Sequence, residues 1–448
     1  MGNIINLKKM MSAAMFAAGL LVSMNSASAQ QDEQEPLALL QLDVDGNGSL
    51  ETVELYGGQM TRGSSYRNDF LLLLKGSDSE LLTAYVPSIN GGYDCSLEKA
   101  RFTGRGEQLI LSVGQGGDDG SIEYRIIDFA DPKAVKEIFT GSDNAGVAAT
   151  AEFVPDFRSK IAFADGSTNY ELLPKEKEFY EQRGLYDVDG TLLKGYRRPY
   201  VGKIHSLVAV DMEQDGILEL LSLQSISGLN REEDLLGKLA GVWSYDGSSG
   251  WKLKSKTFYS GGKNKDDKFH RSYNEKNWRI LPRQAVHDSS SVTYPVFTAI
   301  AAPEVQNKLN GDFAIIAGPY LQNLATGGCE LDYTLTFVSE KFISMVFFGV
   351  LDEGEKEIFA KIPLNIDVQT GAQLALGDVL NLRDADLLPV LRLLTKKDKV
   401  DFSKGIPESW YYNGTNFVFC QRSEIGEWLE ATVAASDLKK FLLKPELF

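Results

Sequence analysis

The sequence predicts a mostly β protein with two domains, a β-propeller-like array of about four repeats followed by an α+β domain. Three observations predict this fold class. Short strand-like apolar runs alternate with Gly, Asp and Asn clusters from about residue 35 to 262. Within this region, acidic or glycine-rich loops recur at intervals of 55 to 58 residues. Beyond residue 284, strand patterns alternate with helical periodicity, and 448 residues exceed the length of one usual domain.

Residues 1–29 are typical of a cleavable secretory signal peptide. Lys8 and Lys9 precede an apolar segment at 10–24, and the small residues Ala27-Ser-Ala29 form a cleavage site. The apolar segment is too short to span a bilayer, and no other run approaches the roughly 20 apolar residues that a span needs. We therefore expect an extracytoplasmic protein (periplasmic, cell-surface or secreted) with no transmembrane segment.

The charge balance narrows the classes of partner. The formal net charge is −16, and removal of the leader with its two lysines makes it −18. An acidic surface repels phosphate backbones and anionic membranes, so nucleic acid is excluded as a partner. Cations and basic proteins are the partners that this charge favours.

Cysteine usage permits one disulfide at most. The chain has three cysteines, Cys95, Cys329 and Cys420, and disulfides are stable outside the cytoplasm. Cys329 and Cys420 both lie on predicted strands of the C-terminal region, so they are the plausible pair. Buried thiols that pack as small apolar residues are the equally acceptable alternative.

The N-terminal domain is predicted over 30–262 from its strands and its repeated loops. The segment from Trp243 to Trp251 places aromatic residues around a Gly-rich turn and predicts a hairpin. The intervals between the loop markers suffice for a four-stranded blade each. The predicted strands are 69–74, 81–87, 109–113, 122–129, 217–223 and 251–259, and the markers begin at Asp43, Arg101, Asp156 and Asp211.

The first marker, Asp43-Val-Asp-Gly-Asn-Gly-Ser-Leu-Glu51, predicts a calcium site. Calcium takes six to eight oxygen ligands, and the loop offers oxygens at alternate positions around a glycine turn. Glu54 at position 12 would complete an EF-hand loop, but the alternation from Glu51 to Tyr56 predicts a strand where that motif needs a helix. The predicted ligands are the side chains of Asp43, Asp45, Asn47 and Glu51 and the carbonyl of Ser49.

The marker at Asp211 repeats this arrangement. Its predicted ligands are the side chains of Asp211, Glu213, Asp215 and Glu219 and the carbonyl of Ile217. A loop followed by a strand resembles the repeats of integrin-type FG-GAP and VCBS propellers, and this resemblance implies that both loops chelate calcium. Gln214 stands where that family usually has glycine. The alternative for both loops is an Asx-type turn whose carboxylates cap backbone N–H groups without a metal.

Other motifs do not predict catalysis. His205, His270 and His287 are scattered without the spacing of a zinc site. The segment Asp187-Val-Asp-Gly-Thr-Leu192 spells the nucleophile motif of haloacid dehalogenases, but the polar residues before it predict a turn. We therefore expect a non-enzymatic protein. The alternative is an extracytoplasmic enzyme that acts on peptidoglycan or polysaccharide. Such an enzyme would require a pair of carboxylates that folding brings together.

Residues 263–284 are polar and of mixed charge and are predicted as a linker, and 285–448 as the α+β domain. The long predicted helix places Val305, Leu309, Phe313 and Ile316 on one face. The predicted strands are 292–298, 331–338, 342–350, 358–368 and 416–421, and the predicted helices are 303–324, 385–394 and 436–443.

The order of five motifs in this domain resembles the extracytoplasmic domain shared by the anti-sigma factor RsiV and the deacetylase PdaC. The most specific is Leu364-Asn-Ile-Asp-Val-Gln-Thr-Gly371, and the others begin at Val292, Asn307, Ile343 and Trp410. The resemblance implies a cell-envelope ligand-binding module, with peptidoglycan or a basic lysozyme-like protein as the ligand class. The family's histidine before the Asn-x-Asp strand is absent here, so no role of that histidine transfers.

Overall fold

The computed structural model describes residues 35–59, 64–116, 121–195, 198–230, 233–260, 271–274, 278–352, 357–395, 398, 400–423 and 426–448. The predicted signal peptide lies outside these residues. The chain divides into two compact units, Met1–Asn264 and Lys265–Phe448. Most described residues that belong to regular elements are in antiparallel strands, which confirms the mostly β prediction.

Among its described residues, the first unit contains four sheets, each built from strands that are consecutive along the chain. Sheet I comprises β1 (Ala38–Leu42), β2 (Glu51–Gln59), β3 (Arg67–Lys75), β4 (Leu81–Tyr85) and β5 (Gly91–Gly92). Sheet II comprises β6 (Cys95–Thr103), β7 (Gly106–Gly114), β8 (Ile122–Asp128) and β9 (Lys136–Phe139). Sheet III comprises β10 (Ala149–Val154), β11 (Arg158–Phe163) and β12 (Thr168–Leu172). Sheet IV comprises β13 (Tyr200–Val210), β14 (Glu219–Ser227), β15 (Leu235–Asp246) and β16 (Gly250–Ser260).

The predicted loop markers lie near the connections between the first and second strands of these sheets. The acidic loops that begin at Asp43 and Asp211 each join the first and second strands of a sheet, and so does the turn that contains Asp156. The marker at Arg101 runs along the end of β6 into the turn before β7. The hairpin at Trp243 is also confirmed, because Asp246 pairs with Gly250 across the turn between β15 and β16.

The packing order of the sheets differs from that of a closed propeller. Three buried clusters join sheet I to II, sheet II to IV, and sheet IV to III. A ring in chain order would place sheet III between sheets II and IV. Burial explains the difference. Strands β7 and β14 are buried almost continuously, so their sheets need a cover on both faces, whereas β2 and β10 alternate and need one.

A connection of 27 residues follows β12 and contains the helix α1 (Lys177–Gln182). It is anchored by the buried pair of Tyr180 and Asp234, whose oxygens lie 2.7 Å apart. The segment at Asp187 is a turn, as predicted. The Asp187 carboxylate accepts the N–H groups of Asp189 and Thr191, and Tyr186 bridges to Leu192.

The second unit is α+β. Sheet V comprises β17 (Tyr273–Asn274), β18 (Arg279–His287), β19 (Ser290–Thr298), β20 (Cys329–Val338), β21 (Phe342–Asp352), β22 (Glu357–Asp367) and β23 (Ala372–Gln373). Sheet VI comprises β24 (Ser409–Tyr412), β25 (Asn416–Arg422) and β26 (Trp428–Ala434). The helices are α2 (Pro303–Gln322), α3 (Leu376–Val379) and α4 (Leu387–Leu394), with 3-10 turns at Phe402–Lys404, Ala435–Phe441 and Pro445–Leu447.

Helix α2 connects the parallel pair β19 and β20 and packs on sheet V. Leu309 and Phe313 are buried, as the periodicity predicts, and the Phe313 ring lies between those of Phe297 and Phe347. Asn310 fixes the helix to β19, since its side chain accepts from the Phe297 N–H and donates to the Phe297 carbonyl.

Two sequence expectations change in the second unit. The predicted linker 263–284 contains β17 and the first residues of β18, because the alternating pattern that begins at Arg279 pairs with β19. Cys329 and Cys420 form no disulfide, and all three cysteines are free and buried. They act as small apolar residues, which is the alternative that the sequence left open.

Candidate metal centre

The first acidic loop folds around the carboxylate of Asp43, immediately after β1. One carboxylate oxygen of Asp43 accepts the N–H groups of Gly46 (2.8 Å) and Asn47 (3.1 Å), and the other accepts that of Gly48 (2.9 Å). Gly46 and Gly48 have φ values of +76° and +86°, in the region that favours glycine. This backbone path turns the chain sharply and keeps the acidic side chains close together.

Three carboxylates meet at this loop. Oxygen atoms of Asp43, Asp45 and Glu51 all lie within 4.8 Å of one another. Glu51 is the first residue of β2, is 7% exposed, and accepts the Val44 N–H at 3.1 Å. Asn47 links this group to the next turn, because its side chain donates to Asp45 at 2.9 Å and accepts the Ser49 N–H at 2.6 Å. β2 continues from Glu51, so the loop-then-strand prediction is confirmed.

The second loop has the same hydrogen-bond pattern. Asp211 accepts the N–H groups of Asp215 (3.1 Å) and Gly216 (2.9 Å), which match the bonds of Asp43 to Asn47 and Gly48. Glu219 begins β14, is 6% exposed, and accepts the Met212 N–H at 2.9 Å. The Ile217 N–H donates to the Asp215 side chain at 2.8 Å, as the Ser49 N–H donates to the Asn47 side chain in the first loop.

The two loops differ at the residues where the sequences differ. Gln214 has a φ of +56°, in the position that Gly46 occupies in the first loop. Glu213 extends outward, and its carboxylate lies 3.5 Å from the Lys254 ammonium. Among the residues that the structure describes, the acids of this loop form no group of three as close as that of the first loop.

Electrostatics make the second loop receptive to positive charge. Burial raises the pKa of Glu219, and the nearby carboxylates of Glu213, Asp215 and Asp211 raise it further. Mutual repulsion of this kind is relieved by a proton or by a bound cation.

The oxygen donors of the two loops are of the type that a hard cation binds. The predicted ligands of each loop are side-chain oxygens together with one backbone carbonyl, which is the set that calcium prefers. Asp43, Asp45, Asn47, Ser49 and Glu51 would hold an ion in the first loop. The same hydrogen bonds also define an Asx-type turn, so the local geometry is compatible with either state.

The Asn-x-Asp-x-x-Thr-Gly motif of the second unit is occupied by structural contacts. Asn365 is buried, and its side chain accepts from Ser344 at 2.7 Å and donates to the Trp410 carbonyl at 2.7 Å. Asp367 accepts the Thr370 N–H at 3.3 Å, and Gly371 has a φ of +64° in the turn into β23. The motif thus joins β22 to β24 and closes a turn.

The three histidines are scattered along the chain. His270 lies outside the described residues, and the other two belong to different units. Burial, together with the nearby Lys238 ammonium, lowers the pKa of His205 to about 4. Its Nε2 atom is buried without a hydrogen-bond partner among the described residues. His205 therefore packs as a residue of β13.

Sequence reasoning missed a cleft of about 330 Å³ beside the first loop. Asp45 lies on its wall together with Arg105, Asp131 and Lys136. Asp45, Arg105 and Asp131 come from three separate connections of sheets I and II, and Lys136 is the first residue of β9. No local sequence signal joins them, because only the packing of the two sheets brings the connections together.

Comparison with known proteins gives similarity mainly to uncharacterised relatives. Residues 147–259, which include the second acidic loop, match the family model of the YybI C-terminal domain. The uncharacterized protein YybI of Bacillus subtilis (strain 168) is 26% identical over 212 residues, which cover 46% of this chain and 78% of that protein. The match to the first unit is thus to YybI, and the resemblance to propeller repeats stays a prediction.

Two solved structures of the DUF3298 family are also similar. The one from Bacteroides fragilis is 13% identical and covers 39% of this chain and 95% of its own, with a TM-score of 0.29. The one from Pseudomonas aeruginosa PAO1 is 14% identical and covers 38% and 95%, with a TM-score of 0.28. Likeness at this level carries no conclusion about the chain. Within the described ranges, no helix has both the length and the apolar character to cross a membrane.

Proposed function

We propose that this chain is an exported, non-enzymatic calcium-binding protein of the cell envelope. Calcium in the two acidic loops would stabilise the first unit, and the second unit would bind an envelope ligand. The observation that carries the calcium proposal is the shared design of the loops. Two segments 168 residues apart bury a glutamate at the same loop position and wrap the same backbone N–H groups around an aspartate.

Outside the cell, even calcium sites of low affinity would be occupied. Free calcium outside cells is millimolar, and extracellular calcium modules have dissociation constants of about 10⁻⁴ to 10⁻³ M. A ligand that binds only the folded state stabilises it by about 2.7 kcal/mol at 100 times its dissociation constant. At 10 mM calcium, a site with such a dissociation constant would stabilise the folded state by about 1.4 to 2.7 kcal/mol, which gives a measurable shift in melting temperature.

The test separates calcium binding from a plain Asx turn. Calcium should raise the melting temperature of the wild type, and the double variant Asp43→Asn, Asp211→Asn should lose that shift. Asparagine keeps one of the two oxygens that accept backbone N–H groups, and it lacks the charge that calcium needs. Asp187→Asn is the matched control, because Asp187 caps a similar turn outside both loops and should leave the shift unchanged.

An unchanged melting temperature of the wild type in 5 to 10 mM calcium would overturn the proposal. A shift that survives in the double variant would place the ion elsewhere and would also overturn the assignment of these loops.

The ligand of the second unit is proposed as peptidoglycan or a basic lysozyme-like protein, on the motif resemblance alone. Of the charge of −18 in residues 30–448, −13 lies in 30–264 and −5 in 265–448. The second unit is therefore only mildly acidic, and general charge attraction contributes less than the whole-chain value implies. Co-sedimentation of the full chain with insoluble peptidoglycan, and capture by immobilised lysozyme, distinguish the two ligands.

A further inference from the structure

Sheet III is shorter by a strand than the other sheets of the first unit. Among the described residues, sheets I, II and IV each contain at least four strands, whereas sheet III contains only β10, β11 and β12. After Leu173 the chain leaves the sheet and enters the connection that contains α1. β12 is therefore an edge strand, and no described strand pairs with its outer side.

The free edge of β12 consists of the backbone groups of Thr168, Tyr170 and Leu172. The Leu173 N–H donates to the Phe157 carbonyl at 2.9 Å, and this bond fixes which residues of β11 and β12 exchange hydrogen bonds. Alternation along the antiparallel pair then assigns the odd-numbered residues of β12 to the bonds with β11. The N–H and C=O groups of the even-numbered residues point away from β11, and no described residue pairs with them.

The side chains along this free edge are exposed. Leu172 is 73% exposed and Tyr170 is 49% exposed, and both alternate with the residues that face the buried cluster of sheet III. Edge strands commonly carry lysine, proline or a bulge that prevents pairing with another chain. The last strand of sheet IV follows this rule, since β16 carries three lysines at alternate positions. β12 has no lysine, proline or bulge, and its one charged residue is Glu171.

We propose that the free edge pairs with β12 of a second copy of this chain, so that sheet III continues from one copy into the other across a two-fold axis. Strand addition to an exposed sheet edge is a common mode of recognition, and a two-fold interface uses the same surface of both copies. With the axis beside Tyr170, this residue pairs with Tyr170 of the second copy, and Thr168 pairs with Leu172. All the backbone groups of the free edge then form hydrogen bonds.

The charges of β12 favour this register over its neighbours. With the axis at Tyr170, Glu171 faces the Asn169 amide of the second copy, which can donate to the carboxylate. A shift that places Tyr170 opposite Leu172 also places Glu171 opposite Glu171, and like charges directly opposite destabilise a strand pair. The reverse shift places Leu172 opposite Gly166, outside β12, and shortens the pairing.

The size of the contact predicts a weak dimer. The Arg158 guanidinium lies 5.4 Å from the centre of the Tyr170 ring and holds this side chain over β11, which reduces the ordering that association requires. The paired strand has five residues in each copy, compared with about 20 to 30 residues a side in a standard interface. We therefore expect association that increases with protein concentration.

Engineered cysteines in the full chain test the two-fold register. Residues of a hydrogen-bonded antiparallel pair have Cα atoms about 5.5 Å apart, a distance that a disulfide spans. Tyr170→Cys should form a covalent dimer under oxidising conditions, because residue 170 faces its own copy. Leu172→Cys is the matched control, because residue 172 is more exposed but lies about 13 Å along the strand from its copy. The three native cysteines are buried, which keeps them out of this reaction.

We expect covalent dimers on a non-reducing gel to form at least about tenfold faster in Tyr170→Cys than in Leu172→Cys, because the pairing raises the effective concentration of one thiol at the other. In sedimentation velocity, the mass of the wild type should rise towards that of a dimer with increasing concentration. Tyr170→Lys should abolish this rise, because two ammonium groups would meet at the axis. An equimolar mixture of Tyr170→Lys and Tyr170→Asp should restore it.

Equal cross-linking rates of the two cysteine variants would overturn the proposal. A dimer that persists in Tyr170→Lys would assign the association to another surface and would also overturn it. A wild type that stays monomeric at every concentration, with no preferential cross-linking at residue 170, would exclude a second copy as the occupant and leave the edge to a strand of another protein.

Discussion

At the scale of single residues, Gln214 and Gly46 occupy the same loop position with different consequences. Both have positive φ values, but only Gly46 lacks the Cβ that strains this conformation. The strain at Gln214 is tolerated because its surroundings are open, whereas the Arg105 carbonyl lies where a Cβ of residue 46 would be. The glycine in the first loop is thus required by packing as well as by backbone conformation.

We predict opposite effects of exchanging these residues. Gln214→Gly should raise the free energy of unfolding by up to about 1 kcal/mol, because it removes left-handed strain. Gly46→Gln should lower it by about 2 to 3 kcal/mol, because it adds both strain and a steric clash. Denaturant unfolding measures both. A Gly46→Gln variant as stable as the wild type would contradict the contact with Arg105.

His205 predicts a pH dependence of stability. Its pKa in the folded state is lowered to about 4 by burial and by Lys238, whereas the unfolded chain has the ordinary value of about 6.5. Between these values the unfolded state binds a proton that the folded state does not. The stability therefore falls as the pH drops from about 6.5 to about 4, by at most about 3 kcal/mol.

The variant His205→Leu should flatten this loss, since leucine does not titrate. Chemical unfolding of both proteins at pH 7, 5.5 and 4 measures the difference between their pH profiles. If the two profiles run parallel, another group is responsible for the acid sensitivity.

At the scale of elements, the sequence predicts those parts of the second unit whose patterns are local, but it misses β18, β24 and β26, and the helix predicted at 436–443 is a 3-10 helix. The helix predicted at 303–324 is Pro303–Gln322, and the strand predicted at 358–368 is Glu357–Asp367. Amphipathic periodicity and flanking turn residues suffice for such elements. Short edge strands such as β17 are missed, because two residues have no periodicity and pair only through tertiary contacts.

The junction between β22 and β24 depends on one buried amide, that of Asn365. Asn365→Ala leaves the Ser344 hydroxyl and the Trp410 carbonyl without this partner, so we predict a loss of about 3 kcal/mol. Gln369→Ala is the control, because Gln369 is exposed in the neighbouring turn. Thermal unfolding of both variants measures the effect, and equal stability would show that the Asn365 contacts contribute little.

At the scale of the whole molecule, each unit has its own hydrophobic core. One buried cluster belongs entirely to residues 342–447, and three others lie within residues 38–239. Both predicted calcium loops are in the first unit, together with most of the negative charge. Stabilisation by calcium should therefore be confined to one unit.

Differential scanning calorimetry in calcium and in EGTA tests this prediction. We expect a separate unfolding transition for each unit. Calcium should raise the melting temperature of the transition that Gly46→Gln lowers, and it should leave unchanged the melting temperature of the transition that Asn365→Ala lowers. A calcium shift confined to the transition that responds to Asn365 would assign the ion to the second unit.

The sequence by itself determines the mostly β strand pattern and the oxygen donors of the two acidic loops. These features follow from residues close along the chain, through alternation, turn chemistry and ligand spacing. Only the tertiary structure decides the order of the sheets and the cleft with Arg105 and Lys136. Both depend on which apolar faces cover one another, and burial on both faces of sheets II and IV makes them the central layers.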